Sequence, residues 1–264
     1  MYNFEYHRPK SVADAVAALK KASDGKLVAG GQTLIPTLKQ RLAQPSDLVD
    51  LSGVKELAGI KVDGKTVTIG AMTRHAEVAA SAEVAKAIPA LAALASGIGD
   101  AQVRNLGTLG GSLANNDPAA DYPAAVLALN ATVTTNERTI AADDFFKGMF
   151  STALKDGEVI VSVSFPVPEK AAYMKFPNPA SRYAMVGVFV AKAGSGVRVA
   201  VTGAGPSVFR VKPMEEALAR DFSAKAVAGI KVPASGLNAD IHGSAEYRAH
   251  LVTVMASRAV AAAG

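Results

Sequence analysis

Two glycine doublets, Gly30-Gly31 and Gly110-Gly111, interrupt a chain of 264 residues that is otherwise half hydrophobic. Adjacent glycines remove side-chain bulk and open positive φ, so each doublet marks either a tight turn or a place where something approaches the main chain closely. The first lies in "VAGGQTL", a strand pattern running into a helical one. The second lies in "NLGTLGGSLANNDPAADYP", residues 105–123, flanked by the hydroxyls of Thr108 and Ser112 and followed by Asn115 and Asp121. The first doublet therefore predicts a side-chain-free turn from a short strand into a helix, and the second bares the main chain again.

The surrounding periodicities agree. "SVADAVAALKKAS" predicts an amphipathic helix capped by Ser11, with Val12, Val16 and Leu19 on one stripe. "KLVAGG" predicts a short buried strand, and "LIPTLKQRLA" resumes a helical period in which Pro36 falls in the first turn. "GIKVDGKTVTIG" alternates about Asp63-Gly64, a strong hairpin signal. Residues 75–99 predict a helix, "PAAVLALNA" another, and "ATVTTNERTI" and "GEVIVSVSFPVP" predict strands. Pro166, Pro168 and the charge pair after them suit a boundary. Beyond it, "YAMVGVFVAK", a turn at "AGSG" and "VRVAVTGAG" predict an antiparallel meander. A final helix follows, capped at Ser244 with Tyr247, Leu251, Val254 and Met255 on its apolar side. Strands and helices alternate only in part, which makes the class α+β.

Composition excludes several functions. The longest nearly apolar run, residues 87–95, contains Pro89 and is too short to cross a bilayer. The start "MYNFEYHRPK" lacks a secretory pattern, so the expected location is cytoplasmic. There is no cysteine, hence no disulfide framework and no iron–sulfur cluster ligated by this chain. His7, His75, His242 and His250 show no ligand-like spacing, predict no metal and read as surface or capping residues. The net charge is +5, and the basic excess sits in residues 169–264, with 12 Lys/Arg against 6 Asp/Glu. Those cations are dispersed and lack interleaved aromatics, which argues against nucleic acid and for an acidic partner or a solvated face.

A strand, two glycines and a helix can converge main-chain N–H groups on an anion such as a diphosphate. A glycine turn that merely needs positive φ has the same sequence. No Gly-Lys-Ser/Thr follows, so the turn is not a P-loop. "SGIGDAQ" starts like a dinucleotide fingerprint, but it follows a helix and has Gln102 at the third glycine position. "TGAGPS" reads as turn chemistry at a strand end. Around the second doublet, hydroxyls suit phosphate oxygens, while an amide and a carboxylate suit ribose or ribityl hydroxyls. Asp117-Pro118 also reads as a simple cap. A dinucleotide carries a diphosphate between two polyol arms, so two glycine turns could hold it from both sides.

Taken together, "AGGQTLIPTLKQRL", "IGAMTRH", "IGDAQVRNLGTLGGSLANNDPAADYPAAVLALNA" and "SAEYRAHLVTVMASRAV" resemble the FAD-binding medium subunits of the molybdenum hydroxylases, among them the medium chains of aerobic carbon monoxide dehydrogenase and the FAD subunits of xanthine dehydrogenase-like enzymes. The resemblance covers nearly the whole chain. It implies a PCMH-type FAD-binding fold: an N-terminal α/β lobe (1–53), a middle α+β lobe (54–168) and a C-terminal lobe of antiparallel strands plus helices (169–264). It places FAD between the first two, with the diphosphate against Ala29, Gly30, Gly31, Gln32, Thr33 and Leu34 and against Thr108, Leu109, Gly110, Gly111 and Ser112. Asn115 and Asp121 match positions that hold the cofactor's polar arms, and Ile98 a position near the isoalloxazine. Lys175 matches one near the flavin's pyrimidine end, and Tyr183 one beside the ring. Read without the resemblance, Lys175 is a solvated lysine and Tyr183 a core tyrosine. Two departures stand out: Gln32-Thr33 where the family often has His-Ser, and Arg182 where it often has an acidic residue.

By the same resemblance the chain is an electron-transfer subunit. A large partner would hold the molybdenum cofactor and a small partner two [2Fe–2S] clusters, in a dimer of heterotrimers, with FAD here passing electrons to an external acceptor. Two rival readings are a nucleotide-binding scaffold without redox turnover and a self-sufficient flavin oxidoreductase of the vanillyl-alcohol oxidase type. The second leaves only about a hundred residues for a substrate lobe.

Overall fold

The computed structural model describes residues 1–194 and 196–264, so Ser195, in the expected "AGSG" turn, lies outside the described residues. The chain builds three principal sheets in succession. In the first, β1 (Glu5–His7), β2 (Gly25–Val28) and β3 (Asp47–Asp50) run parallel, with β3 in the centre. Helix α1 (Val12–Lys21) links the first two strands, and Ser11 caps it by accepting from the Asp14 amide. Ala15, Val49, Leu51, Val54 and Leu57 form the small core here, joined by Val159 from further along the chain. Helix α2 (Leu34–Lys39) ends sooner than its periodicity predicts, with Arg41 in the left-handed region.

The second sheet has the order β4 (Ile60–Asp63), β5 (Thr66–Gly70), β10 (Ile160–Pro166), β6 (Thr132–Thr135), β7 (Thr139–Ala141), all antiparallel. The expected hairpin turns at Asp63-Gly64, where Gly64 has φ 56°. Val67, Ile69, Val133, Val163 and Phe165 share the middle core with helical residues such as Leu91, Leu94, Leu109, Leu113 and Tyr122. The stretch predicted as one helix over 75–99 is three: α3 (His75–Ala80), α4 (Ala82–Ala87) and α5 (Pro89–Ser96). Ser81 caps α4 through the Val84 amide, and Pro89, which has no N–H to continue a helix, starts α5 at its first position.

Three further helices follow: α6 (Ala101–Leu106), α7 (Leu109–Asn115) and α8 (Tyr122–Ala128). The second glycine doublet is thus the first turn of α7, not a loop. A short α9 (Ala142–Phe145) and the two-stranded β8 (Phe146–Gly148) and β9 (Ser151–Thr152) complete this part.

The sheet changes between Pro166 and Lys170. Here β11 (Lys170–Pro177), β12 (Ala184–Ala193), β13 (Gly196–Thr202) and β14 (Phe209–Arg210) form an antiparallel sheet in sequence order. Strand β12 is buried along Ala184 to Ala191, because both its faces are covered. Val186, Val188 and Val190 pack on one side with α10 (Lys212–Arg220), α11 (Ala224–Ala228) and α12 (Ala245–Ala263). Phe189 and Ala191 enter the middle core on the other. Ser244 caps α12 through the Tyr247 amide. Its expected apolar stripe holds for Leu251 and Met255, but Val254 is only half-buried and Tyr247 exposed; Val252, Ala256 and Ala259 take that face instead. The architecture is α+β, as its patterning predicts.

Candidate functional site

A cleft of about 560 Å³ opens beside the first glycine doublet, within the range of small-molecule and cofactor sites. Both doublets line it, and each glycine is needed for its own reason. Gly31 has φ 71°, where a side chain is strained. Gly30 lies against the main chain of Leu106 and Gly107: a Cβ there would collide with the Leu106 carbonyl and come within 2.7 Å of the Gly107 Cα. Gly110 lies against Ala71, whose Cβ a new Cβ would meet at 2.5 Å. Gly111 faces Ala29, at 3.3 Å from an added Cβ.

The two doublets offer different chemistry. Among the described residues, the amides of Gly30, Gly31, Gln32, Thr33 and Leu34 make no backbone or side-chain hydrogen bond. They remain free donors along one wall. The amides of the second doublet are engaged: Leu109 donates to the Thr73 carbonyl (3.1 Å), Gly110 to the Ala71 carbonyl (2.8 Å), Gly111 to Thr108 Oγ1 (3.2 Å) and Ser112 to the Thr108 carbonyl (3.0 Å). What this wall offers to the cleft is side-chain chemistry, from Ser112, Asn115 and Asp121. The neighbouring Asn116 is structural. It ends α7 at φ 44°, and its side chain donates to the carbonyls of Gly148 (2.7 Å) and Ser151 (2.8 Å). Asp117 lines the cleft and accepts from the Ala119 amide in a turn, where its sequence reads as a helix cap; the next helix, α8, starts only at Tyr122.

Of the sequence-predicted residues, Ala29, Gly30, Gly31, Gln32, Thr33, Leu34, Ile98, Thr108, Gly110, Gly111, Ser112, Asn115, Asp121 and Tyr183 all line this one cleft. Leu109 does not: its side chain is fully buried in the middle core. Lys175 stands behind the wall, with Nζ 2.9 Å from Asp121 Oδ1 and 2.7 Å from the Gly97 carbonyl. It is not a solvated lysine. Tyr183, in turn, is no core residue, being 55% exposed at the cleft. It follows a turn in which Asn178 Oδ1 accepts from the amides of Ala180 and Ser181, with Arg182 at φ 62°. Burial and the nearby Asp117 raise its phenol above the ordinary tyrosine value.

Asp121 is almost wholly buried and accepts from the Tyr173 hydroxyl (2.6 Å) as well as from Lys175. Burial pushes its carboxyl upward, while the ammonium and the phenol pull against that shift. Ile98 sits on a short loop with Gly99 at φ 49°, and Arg104 Nη1 donates to the carbonyls of both.

Sequence reasoning missed three contributors. His75 is buried at the cleft, where desolvation, helped by the charge of Arg104, lowers its imidazole to about 4. Its Nδ1 has no partner among the described residues, so it is neither a surface nor a capping histidine. Ala71 supplies the small side chain and the carbonyl that accept Gly110. Both lie in "IGAMTRH", a segment that carries the family resemblance without singling out either residue. Glu158, also at the cleft, is held by Arg138 (2.9 Å), Thr135 Oγ1 (2.7 Å) and the Lys155 amide (2.8 Å), and its carboxyl falls to about 2.

Free amides on one wall, hydroxyl, amide and carboxylate groups on the other, and the apolar Ile98 and Val103 beside them suit a ligand with a diphosphate, a polyol and a flat ring. The comparisons agree with that chemistry. The sequence model of the family "FAD binding domain in molybdopterin dehydrogenase" matches residues 2–168. The chain is 37% identical to the carbon monoxide dehydrogenase medium chain of Hydrogenophaga pseudoflava, over 98% of this chain and 96% of that one. It is 39% identical to the nicotine 6-hydroxylase medium subunit of Paenarthrobacter nicotinovorans, with the same two coverages. The crystal structure of quinoline 2-oxidoreductase from Pseudomonas putida 86 superposes with a TM-score of 0.89 at 31% identity, covering 99% of this chain and 97% of that one. The chain therefore belongs to the FAD-binding medium subunits of the molybdenum hydroxylases, an oxidoreductase family.

Proposed function

We propose that this chain is the electron-carrying subunit of a molybdenum hydroxylase complex, assembled in the cytoplasm as a dimer of heterotrimers. It takes electrons from [2Fe–2S] clusters on a small partner, and a large partner with the molybdenum cofactor chooses the substrate. The row of unengaged amides at residues 30–34, facing a cleft whose other wall is side-chain donors and acceptors, carries this reading. Those amides and the Ser112 hydroxyl would hold the diphosphate of FAD, Asn115 and Asp121 a polyol arm, and Ile98 one face of the ring. Tyr183, half in solvent, stands where an external acceptor would approach. FAD, when bound, supplies a carrier that can be filled and emptied of two electrons. Among the described residues no group of three or more His, Asp or Glu side chains could hold a metal. No described helix is long and apolar enough to cross a membrane.

The test is purification of the affinity-tagged chain from its native host, with flavin, molybdenum and iron measured across the eluted peak. All three should coincide, with about one flavin per chain. A chain without flavin would overturn the cofactor assignment, and flavin without molybdenum or iron would overturn the assembly.

A further inference from the structure

The family's sequence model ends at residue 168, yet two side chains beyond it, Tyr173 and Lys175 of β11, back the cleft wall at Asp121. They lie two positions apart, so both project from the same face of the strand. Tyr173 donates to Asp121 Oδ1 at 2.6 Å, and Lys175 Nζ lies 2.9 Å from that same oxygen. Oδ2 therefore keeps no side-chain partner among the described residues, in a residue that lines the cleft. Lys175 Nζ also donates to the Gly97 carbonyl at 2.7 Å. The next two carbonyls, of Ile98 and Gly99, accept from Arg104 Nη1 at 2.9 and 3.1 Å. Three successive carbonyls of the loop that carries Ile98 are thus gripped by two cations, one from β11 and one from α6.

Charge-assisted hydrogen bonds are the strong class, and three in a row leave the loop little freedom. From this geometry we infer that Lys175 and Arg104 are positioning residues. Together they clamp residues 97–99 and fix Ile98 at the cleft, while Tyr173 and Lys175 orient Asp121 so that one carboxylate oxygen stays available to a donor in the cleft. The C-terminal sheet is by this account part of the cofactor site's scaffold. Lys175 acts through Asp121 and Gly97, not by touching the ligand. The clamp stands on bonds within this chain; its consequence for the flavin rests on the FAD reading above.

The experiment is amide hydrogen exchange on the full chain, resolved to residues 97–99, for the parent, Lys175→Met and Lys175→Arg. The Gly97 and Ile98 amides, which close the end of α5, should exchange about tenfold faster in Lys175→Met while β12 keeps its protection, and Lys175→Arg should restore much of the difference. Unchanged exchange at 97–99 in Lys175→Met overturns the clamp. Should that variant fail to fold, Arg104→Met takes its place, since α6 has no buried residue and its loss costs no core packing. The same loosening is expected there, and its absence is equally decisive. In protein loaded with FAD, the visible circular dichroism of the flavin should change in Lys175→Met, and an unchanged spectrum would overturn the link to the ligand. If the parent takes up no FAD, the cofactor reading fails, while exchange at 97–99 still decides the clamp.

Discussion

Gly30 and Gly111 look alike in the sequence and differ in what surrounds them. A Cβ on Gly30 strikes the Leu106 carbonyl, which belongs to main chain and cannot rotate away. Gly30→Ala should therefore destabilise the fold by about 1–3 kcal/mol, as overpacking does, read as a lower urea midpoint. A Cβ on Gly111 meets Thr108 Oγ1 at 2.9 Å and Ala29 at 3.3 Å, at the cleft. Gly111→Val should cost less in stability and should abolish FAD retention; a purified variant with the parent's flavin ratio contradicts that. His75 gives a pH signature. Its folded value near 4 lies below the ordinary 6.5, so as pH falls through 6.5 the unfolded chain binds a proton that the folded chain refuses. Stability should drop by about 2 kcal/mol between pH 7 and pH 5, and continue to fall towards pH 4. His75→Gln should lack most of that slope in urea titrations at the two pH values. The misread residues have one physical cause each. Lys175 reads as solvated because nothing in its own neighbourhood announces the partner at Asp121, 54 residues away in sequence. Tyr183 reads as core because its left-handed neighbour Arg182, which turns it outward, is invisible to residue-type averages.

Elements with long, clean periods were legible: α1 and α12 with their serine caps, the hairpin at Asp63-Gly64, and the apolar run of β12. Short ones were not. "KAAYMKFP" mixes alanines, a lysine and aromatics because β11 is only partly buried along its length, so no alternation emerges. The three helices α3, α4 and α5 share one continuous period, and what separates them is Ser81 and Pro89 acting as start signals inside it. At α7 the glycines suggested a loop, whereas Thr108 is an N-cap whose hydroxyl accepts from the Gly111 amide. Thr108→Ala should cost about 1–2 kcal/mol of stability and Thr108→Ser much less, because serine keeps the capping oxygen. Equal losses in chemical denaturation would show that burial of the threonine methyl, not the cap, holds α7 in place.

At the scale of the molecule, the C-terminal sheet is anchored to the rest by both packing and charge. Phe189, Ala191 and Ala200 sit in the middle core, and Arg198 and Arg210 converge on Asp143 of α9 at 3.0 and 3.1 Å. Part of the basic excess of the last third is therefore used inside the chain, where composition alone suggested a partner or solvent. Phe189→Ala should destabilise by about 3–5 kcal/mol. Unfolding should remain a single transition, detected alike by far-UV signal and by exchange in β5 and β13; two separated transitions would mean that the sheets unfold independently. The fold class and the gathering of fourteen predicted residues at one cleft were readable from patterns and resemblance. The division of labour between its walls was not, since it depends on which amides find carbonyls elsewhere in the chain.

One seam beside that cleft joins main chain directly to main chain. Where Gly30 abuts Leu106 and Gly107, polypeptide rests on polypeptide with no rotamers in between, so the spacing there is fixed by bond lengths and van der Waals radii. Substitutions elsewhere along either wall can retune polarity or shape around a guest without disturbing this contact. Descendants of this chain could thus diversify the lining freely, provided that position 30 never acquires a carbon.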